Sequence, residues 1–329
     1  MQEENNIQSA PVIYRYEGNP ILKPSDVPYG PALVFNVGVA KYQGHYLMVF
    51  RNDYAVDGVI ENSLTDIGLA ESPDGIHWTP RPAPIFRLHD KETLRAYDPR
   101  LTVIDSRLYL SFAVDTRHGL RAGIARTDDL EHFEILSLSL PDNRNVVLFP
   151  EKIGGLYYRL DRPFPVYSRG TAERFDIWIS ASPDLRYWGD SALLLGVEDV
   201  PIANTKIGPG APPVKTEQGW LALFHAVDTD PSRGKNGWEI RWQKRYTVGV
   251  MLLDLQDPRK IIGLSRRPLM VPEADYETSH GFRNNVIFPS AMILEDDGEV
   301  KIYYGAADTV TCLATSRVEA LVGLCLNGS

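Results

Sequence analysis

The chain has 329 residues, 43% of them hydrophobic and 23% charged, which excludes a disordered tail protein. The formal net charge of −9 argues against general nucleic-acid binding, because nothing would offset phosphate repulsion, yet it leaves room for a local cationic pocket. No apolar run approaches the ~18 residues of a membrane span, and Met1 to Asn6 carries neither a basic stretch nor an apolar segment, so a cytoplasmic protein without a membrane partner is expected.

In chain order, residues 1–15 read as an extended arm. A strand signal follows at Gly44-His45-Tyr46-Leu47-Met48-Val49-Phe50 and another at Ile67-Gly68-Leu69-Ala70, then a polar turn ending in an aromatic, Ser72-Pro73-Asp74-Gly75-Ile76-His77-Trp78. The unit returns as Leu108–Phe112, Ala122–Ala125 and Thr127-Asp128-Asp129-Leu130-Glu131-His132-Phe133, and again as Leu156–Leu160, Ile177–Ser180 and Ser182-Pro183-Asp184-Leu185-Arg186-Tyr187-Trp188. A fourth copy runs from Trp220–Phe224 through Val248–Leu253 to Asp257-Pro258, and a fifth from Val300–Tyr304 to Thr311–Ala314. Helical periodicity is almost absent. One small antiparallel sheet cannot bury both faces, whereas five packed around an axis can, so the pattern predicts an all-β chain: a single five-bladed β-propeller over residues 16–329 with its site in the central cavity. A two-sheet sandwich is the competing architecture, but it does not need the repeated turn.

Residues 228–246 form a polar insertion with two Trp and five Lys/Arg, of the kind that is functional or meets a partner. The two cysteines, Cys312 and Cys325, make neither a disulfide framework nor a metal spacing, and no metal or cofactor is expected.

In a repeat protein, unrepeated polar residues at strand ends draw attention. Tyr97-Asp98-Pro99-Arg100 stands before the apolar run Leu101–Ile104. A carboxyl there can be desolvated, which would raise its pKa and keep a proton available at neutral pH; the plainer reading is an Asp-Pro turn paired with Arg100. A basic set, Arg144, Arg162, Lys206 and His225, is expected at one end of the propeller channel, where it would suit an oxyanion such as phosphate. Surface cations and a core histidine are the alternative. Polar residues of the first and last blades, Asn36, Arg51, Asn52, Asp53 and Asp308, could hold sugar hydroxyls, with turn chemistry favoured for Asn52 and Asp53.

Taken together, Tyr97-Asp98-Pro99-Arg100, Asn143-Arg144-Asn145 with Leu148-Phe149-Pro150, Lys206-Ile207-Gly208-x-Gly210 and Tyr303-Tyr304-Gly305-Ala306-Ala307-Asp308-Thr309 resemble glycoside hydrolase family 130, β-mannoside phosphorylases and some β-mannosidases built on a five-bladed propeller. The resemblance runs from about Tyr14 to the C-terminus. It implies that Asp98 is the catalytic acid and that inorganic phosphate is the co-substrate, attacking C1 of a mannosyl unit with inversion to give α-mannose 1-phosphate. One protein carboxyl then suffices, since phosphate needs no base of the kind that activates water. It further implies phosphate binding by Arg144, Arg162, Lys206, His225 and Tyr246, and sugar binding by Asn36, Arg51, Tyr97, Arg100 and Asp308. The partners expected are a short oligosaccharide and phosphate, with a homo-oligomer plausible from the arm and the insertion. A family hydrolase and a glycan-binding propeller without activity are the alternatives. Two segments depart from the family pattern, Phe35-Asn36-Val37-Gly38 and Phe164-Pro165-Val166-Tyr167-Ser168-Arg169-Gly170. Both border the acceptor sugar, which leaves acceptor and linkage open.

Overall fold

Short apolar strands separated by Asp-, Gly- and Pro-rich turns fold into five antiparallel sheets arranged as the blades of a β-propeller. The structure, a computed structural model, describes residues 7–165, 174–233 and 243–327. The first blade runs Leu33–Tyr42, His45–Val56, Val59–Ser72 and Thr79–Pro80; the second, Thr93–Ile104, Arg107–Thr116, Gly119–Thr127 and Glu134–Leu138. The third runs Asn143–Leu148, Tyr157–Pro163, Ile177–Ser182 and Gly189–Leu195. The fourth runs Lys206–Pro209, Trp220–Thr229, Lys244–Leu253 and Ile261–Leu264, with Val214–Lys215 added beside its second strand. Ile287–Leu294, Glu299–Ala306 and Val310–Arg317 make the fifth.

The repeated turn has a simple mechanism. Ser72 Oγ accepts the Gly75 N–H at 2.9 Å, and Asp74 Oδ1 accepts those of Ile76 and His77 at 2.8 and 2.9 Å. Thr127 with Asp129, and Ser182 with Asp184, repeat the pattern. A second repeat lies inside the blades. Phe50, Phe112 and Phe224 each face a glycine across the strand pair, Gly68, Gly123 and Gly249. A Cβ on any of these glycines would fall within 2.4 Å of the ring, so only glycine admits the aromatic.

Each junction between blades has its own apolar cluster. Val49, Leu69, Leu101 and Leu110 join the first blade to the second, and Tyr109, Ile124, Val146 and Leu148 join the second to the third. Leu160, Ile179, Trp220 and Phe224 continue the ring, then Leu223, Val250, Ile287 and Ile302, and Met48, Phe50, Ala291 and Tyr303 complete it.

The expected arm over residues 1–15 ends inside the propeller. Tyr14 and Arg15 pair with Thr315 and Ala314 as the outermost strand of the fifth blade. Arg15 fixes this closure, its Nε donating to Glu277 Oε1 at 2.8 Å and its NH2 to Glu277 Oε2 at 3.0 Å. Turn chemistry does not explain Asn52 and Asp53, which lie within a strand and are fully buried. The insertion over residues 228–246 is partly a strand pair, with Asp228 opposite Arg245 and Thr229 opposite Lys244; residues 234–242 lie outside the described residues.

Candidate active site

The innermost strands of the first three blades share one defect that aims the site. Each carries an extra residue: Asn36 and Val37 stand opposite the single Phe50, Asp98 and Pro99 opposite Phe112, and Asn145 and Val146 opposite Asp161. Asn36, Asp98 and Asn145 adopt left-handed backbone, with φ of 50°, 51° and 58°. Asn and Asp tolerate that region better than other residues with side chains.

Two of these side chains meet. Asn36 Nδ2 donates to Asp98 Oδ1 at 2.9 Å, and Arg51 NH1 donates to the same oxygen at 3.0 Å. Among the described residues Oδ2 accepts no hydrogen bond. The expectation that burial raises the Asp98 pKa is overturned. Burial does push it up, but Arg51, Arg100 and Arg144 together with the Asn36 amide outweigh that and bring the carboxyl down to about 2. Without an anion in the site, Asp98 is a carboxylate.

The basic set converges as expected, held by the third and fourth blades. Arg144 and Arg162 are cross-strand partners, and Lys206 and His225 stand on paired strands next to them. His225 is not at a strand end; Trp220–Thr229 runs on past it. Arg162 is 1% exposed and His225 fully buried. The Arg162 guanidinium lies over Phe164 and Phe175 at 5.4 and 5.3 Å, and its NH1 is 3.2 Å from His225 Nε2. Tyr246 stacks on His225 at 5.9 Å and lies under the Lys206 ammonium at 4.9 Å.

Among the described residues no carboxylate forms an ion pair with Arg144, Arg162 or Lys206. The electrostatic cost shows in their protonation. Burial, then Arg144, brings Arg162 down to about 9. Burial together with Arg162 and Arg144 holds Lys206 well below the usual lysine range, and burial with Arg162, Lys206, Arg144 and Arg100 keeps His225 neutral. Arg144 is held above its ordinary value: burial opposes its charge, but Tyr97 and Asp98 face it. Burial pushes the Tyr97 and Tyr246 phenols up to about 12, so both keep their protons. Such an array of donors and charge is complementary to a small oxyanion.

The remaining expected residues divide. Asp308, with φ of 49° and 7% exposed, accepts from Arg283 NH1 at 3.0 Å, and burial raises its pKa. Tyr97 donates its hydroxyl to Asp115 at 2.8 Å while the guanidiniums of Arg51 and Arg95 both pack against its ring, at 4.8 and 4.5 Å. Arg100 is turned to the backbone, donating to the carbonyls of Gly210 and Pro99 at 2.7 and 2.8 Å, and so ties the second blade to the fourth. Sequence reasoning missed Arg283, Arg95 and Phe288, whose ring is 4.6 Å from His225. None belongs to a short motif, although Arg95 stands only two residues before Tyr97, as an alternating strand requires for a shared face. Of the two departing segments, Val166 to Gly170 lie outside the described residues. At Gly38 a Cβ would sit 2.5 Å from the Leu101 backbone nitrogen. Among the described residues no group of three or more His, Cys, Asp or Glu could hold a metal ion, and no helix is long and apolar enough to cross a membrane.

Known proteins are similar to this chain over nearly its whole length. The family described as β-1,4-mannooligosaccharide phosphorylase, glycoside hydrolase family 130, matches residues 3–327. A β-1,4-mannooligosaccharide phosphorylase of Ruminococcus albus is 33% identical over 94% of this chain and 90% of its own. A β-1,2-mannobiose phosphorylase of Listeria innocua is 31% identical over 90% of this chain and 94% of its own. The solved structure of the Listeria innocua β-1,2-mannobiose phosphorylase in complex with β-1,2-mannobiose superposes with a TM-score of 0.81 at 29% identity, covering 95% of this chain and 99% of that one. A match over nearly the whole length, shared with relatives that are named enzymes, makes this chain an enzyme of glycoside hydrolase family 130.

Proposed function

We propose that the enzyme is an inverting β-mannoside phosphorylase, cleaving a short β-linked mannoside with inorganic phosphate to give α-mannose 1-phosphate. The observation that carries this is the cross-strand pair Arg144, half-buried, and Arg162, fully buried, with Lys206 beside them and no carboxylate partner among the described residues, standing next to Asp98. The naming of the relatives as mannoside phosphorylases supports the same reading.

In this mechanism phosphate lies among Arg144, Arg162 and Lys206, with Tyr246 as a further donor and His225 braced behind Arg162. One phosphate oxygen attacks C1 from the face opposite the glycosidic bond. The C1–O bond to the acceptor sugar breaks, and the leaving oxygen takes a proton originating at Asp98, relayed through a sugar hydroxyl. The proton left on the attacking hydrogen phosphate balances the one Asp98 gave up. Of the cations that hold Asp98 ionised, Arg144 belongs to the phosphate site, so a bound phosphate dianion offsets part of that charge and moves Asp98 toward taking up its proton. Asn36, Arg51 and Asp308 hold mannose hydroxyls, and Tyr97 shapes the floor between them.

The test is incubation with β-1,2-mannobiose, β-1,4-mannobiose and β-1,4-mannosyl-glucose, with and without phosphate, read by phosphorus NMR and by free-mannose assay. Phosphate-dependent formation of α-mannose 1-phosphate is expected from at least one. Release of mannose at the same rate without phosphate would sink the proposal in favour of a hydrolase. Running the reaction backwards, from α-mannose 1-phosphate and a panel of acceptor sugars, identifies the linkage.

A further inference from the structure

Arg51 is constrained on every side. Its Nε and NH2 donate to the two oxygens of Asp53 at 2.9 and 2.6 Å, and its remaining NH1 meets Asp98. Asp53 is itself fixed: 1% exposed, it accepts the Thr65 hydroxyl at 2.9 Å. The rings of Phe35 and Tyr97 both pack against the guanidinium, with centroids at 4.7 and 4.8 Å. A bidentate clamp to Asp53 and two aromatic rings against the guanidinium restrict the orientation of Arg51.

We propose that Asp53 is a positioning residue for the proton transfer at Asp98, acting through Arg51. The clamp does two things. It presents a single N–H to Asp98 Oδ1, leaving Oδ2 toward the substrate. It also offsets most of the Arg51 charge, without which a bare guanidinium 3.0 Å from Asp98 would oppose its protonation. The other charged or titratable groups facing Asp98 are Arg100 and Tyr97 from its own strand, Arg144 and Arg162 from the third blade and Asp308 from the fifth. Of these, Arg144 and Arg162 are neutralised by bound phosphate in the proposed reaction, and Arg51 is not, so it needs a protein counter-charge. The inference rests on Asp98 being the acid of that reaction.

The experiment measures kcat and both Michaelis constants against pH for wild type, Asp53→Asn and Asp53→Glu. Activity that needs a protonated Asp98 is lost as pH rises through its pKa in the complex. Asp53→Asn strengthens the cation on Asp98, so this alkaline limb should move down by about one pH unit. Its kcat at the optimum should fall about tenfold or more, with the phosphate Michaelis constant within about twofold of wild type. Asp53→Glu restores the charge but not the clamp, so the limb should return while kcat stays low. A lowered kcat with an unmoved limb in Asp53→Asn marks a merely structural role and overturns the proposal. If that variant does not fold, Asp53→Glu and Thr65→Val carry the test, and wild-type kcat in both overturns it. Absence of phosphate-dependent turnover in the wild type overturns the phosphorylase reading and this proposal with it; the Asp53 outcomes bear on this proposal alone.

Discussion

His225 Nε2 accepts a hydrogen bond from Arg162 NH1 across 3.2 Å, because a guanidinium can only donate. The imidazole is therefore neutral with its proton on Nδ1, and it acts as a brace for Arg162. Gly208, opposite His225 in the neighbouring strand, makes room for this contact: a Cβ there would lie 2.5 Å from His225 Cε1 and 2.9 Å from Arg162 Cδ. Gly208→Ala should raise the Michaelis constant for phosphate about tenfold or more while changing that for mannoside little, since it displaces the brace and its arginine. Steady-state kinetics with each substrate varied in turn checks this.

Arg144→Ala should act on the same constant and more strongly. It removes a guanidinium that faces both Asp98 and Arg162, so phosphate loses a charge-assisted contact of about 1.5–3 kcal/mol. Equal rises in the Michaelis constants for phosphate and sugar would count against the placement of phosphate among these residues.

Phosphate binding should be accompanied by proton uptake. The Lys206 pKa is held well below its usual range by burial, Arg162 and Arg144 in the free site; a bound dianion raises it. Titration calorimetry in buffers of different ionisation enthalpy, at pH values where phosphate is already a dianion, should show uptake, and affinity should fall as pH rises. Lys206→Met should lessen both effects. Identical apparent enthalpies in all buffers would contradict the account.

Asp98→Asn should lower kcat by about a thousandfold while the protein still folds. The carboxyl is depressed from 3.8 to about 2 on folding, so its charge stabilises the fold above pH 3.8, and this contribution is lost as pH falls through about 2. The variant should therefore melt below wild type at neutral pH, and the gap should narrow as the solution is acidified. A constant gap across that range would show that the carboxylate is not what the cations stabilise.

Glu277→Ala should be among the most damaging changes outside the site. Its fully buried carboxylate takes Arg15, the Tyr304 hydroxyl at 2.9 Å, and the N–H groups of Glu273 and Ala274 at 2.8 and 3.0 Å. Leaving Arg15 without this partner should cost about 3–5 kcal/mol, read by denaturant unfolding.

The blades were legible in the sequence because their turns repeat a local mechanism: Ser or Thr and then Asp, capping the next few N–H groups. The identity of Asp98, Arg144 and Lys206 came from motifs that keep their order along the chain. What the sequence could not convey was the ionisation of Asp98, because the arginines that set it, Arg51 and Arg144, come from other blades. Asp53 was misjudged for a related reason. Next to Asn52 it has the composition of a turn, yet the strand His45–Val56 runs through both, and only the three-dimensional approach of Arg51 to Asp98 gives it a purpose. Arg100, a cation in the same motif as Asp98, donates to backbone carbonyls of its own and the fourth blade, a placement the motif alone does not reveal.

The closure of the fifth blade bears on how the enzyme is made. Arg15 and its partner Glu277 are 262 residues apart, and the strand that Tyr14 and Arg15 complete ends only at Arg317. On a ribosome adding about 5–20 residues per second, the earlier blades can zip up as hairpins while the first strand waits, its edge unpaired, until Val310–Arg317 has been made. Asp98, Arg144, Arg162 and Lys206 lie on the second to fourth blades, but the ring that brings them face to face is sealed only by the fifth, so nascent chains should gain activity abruptly, once that blade has emerged.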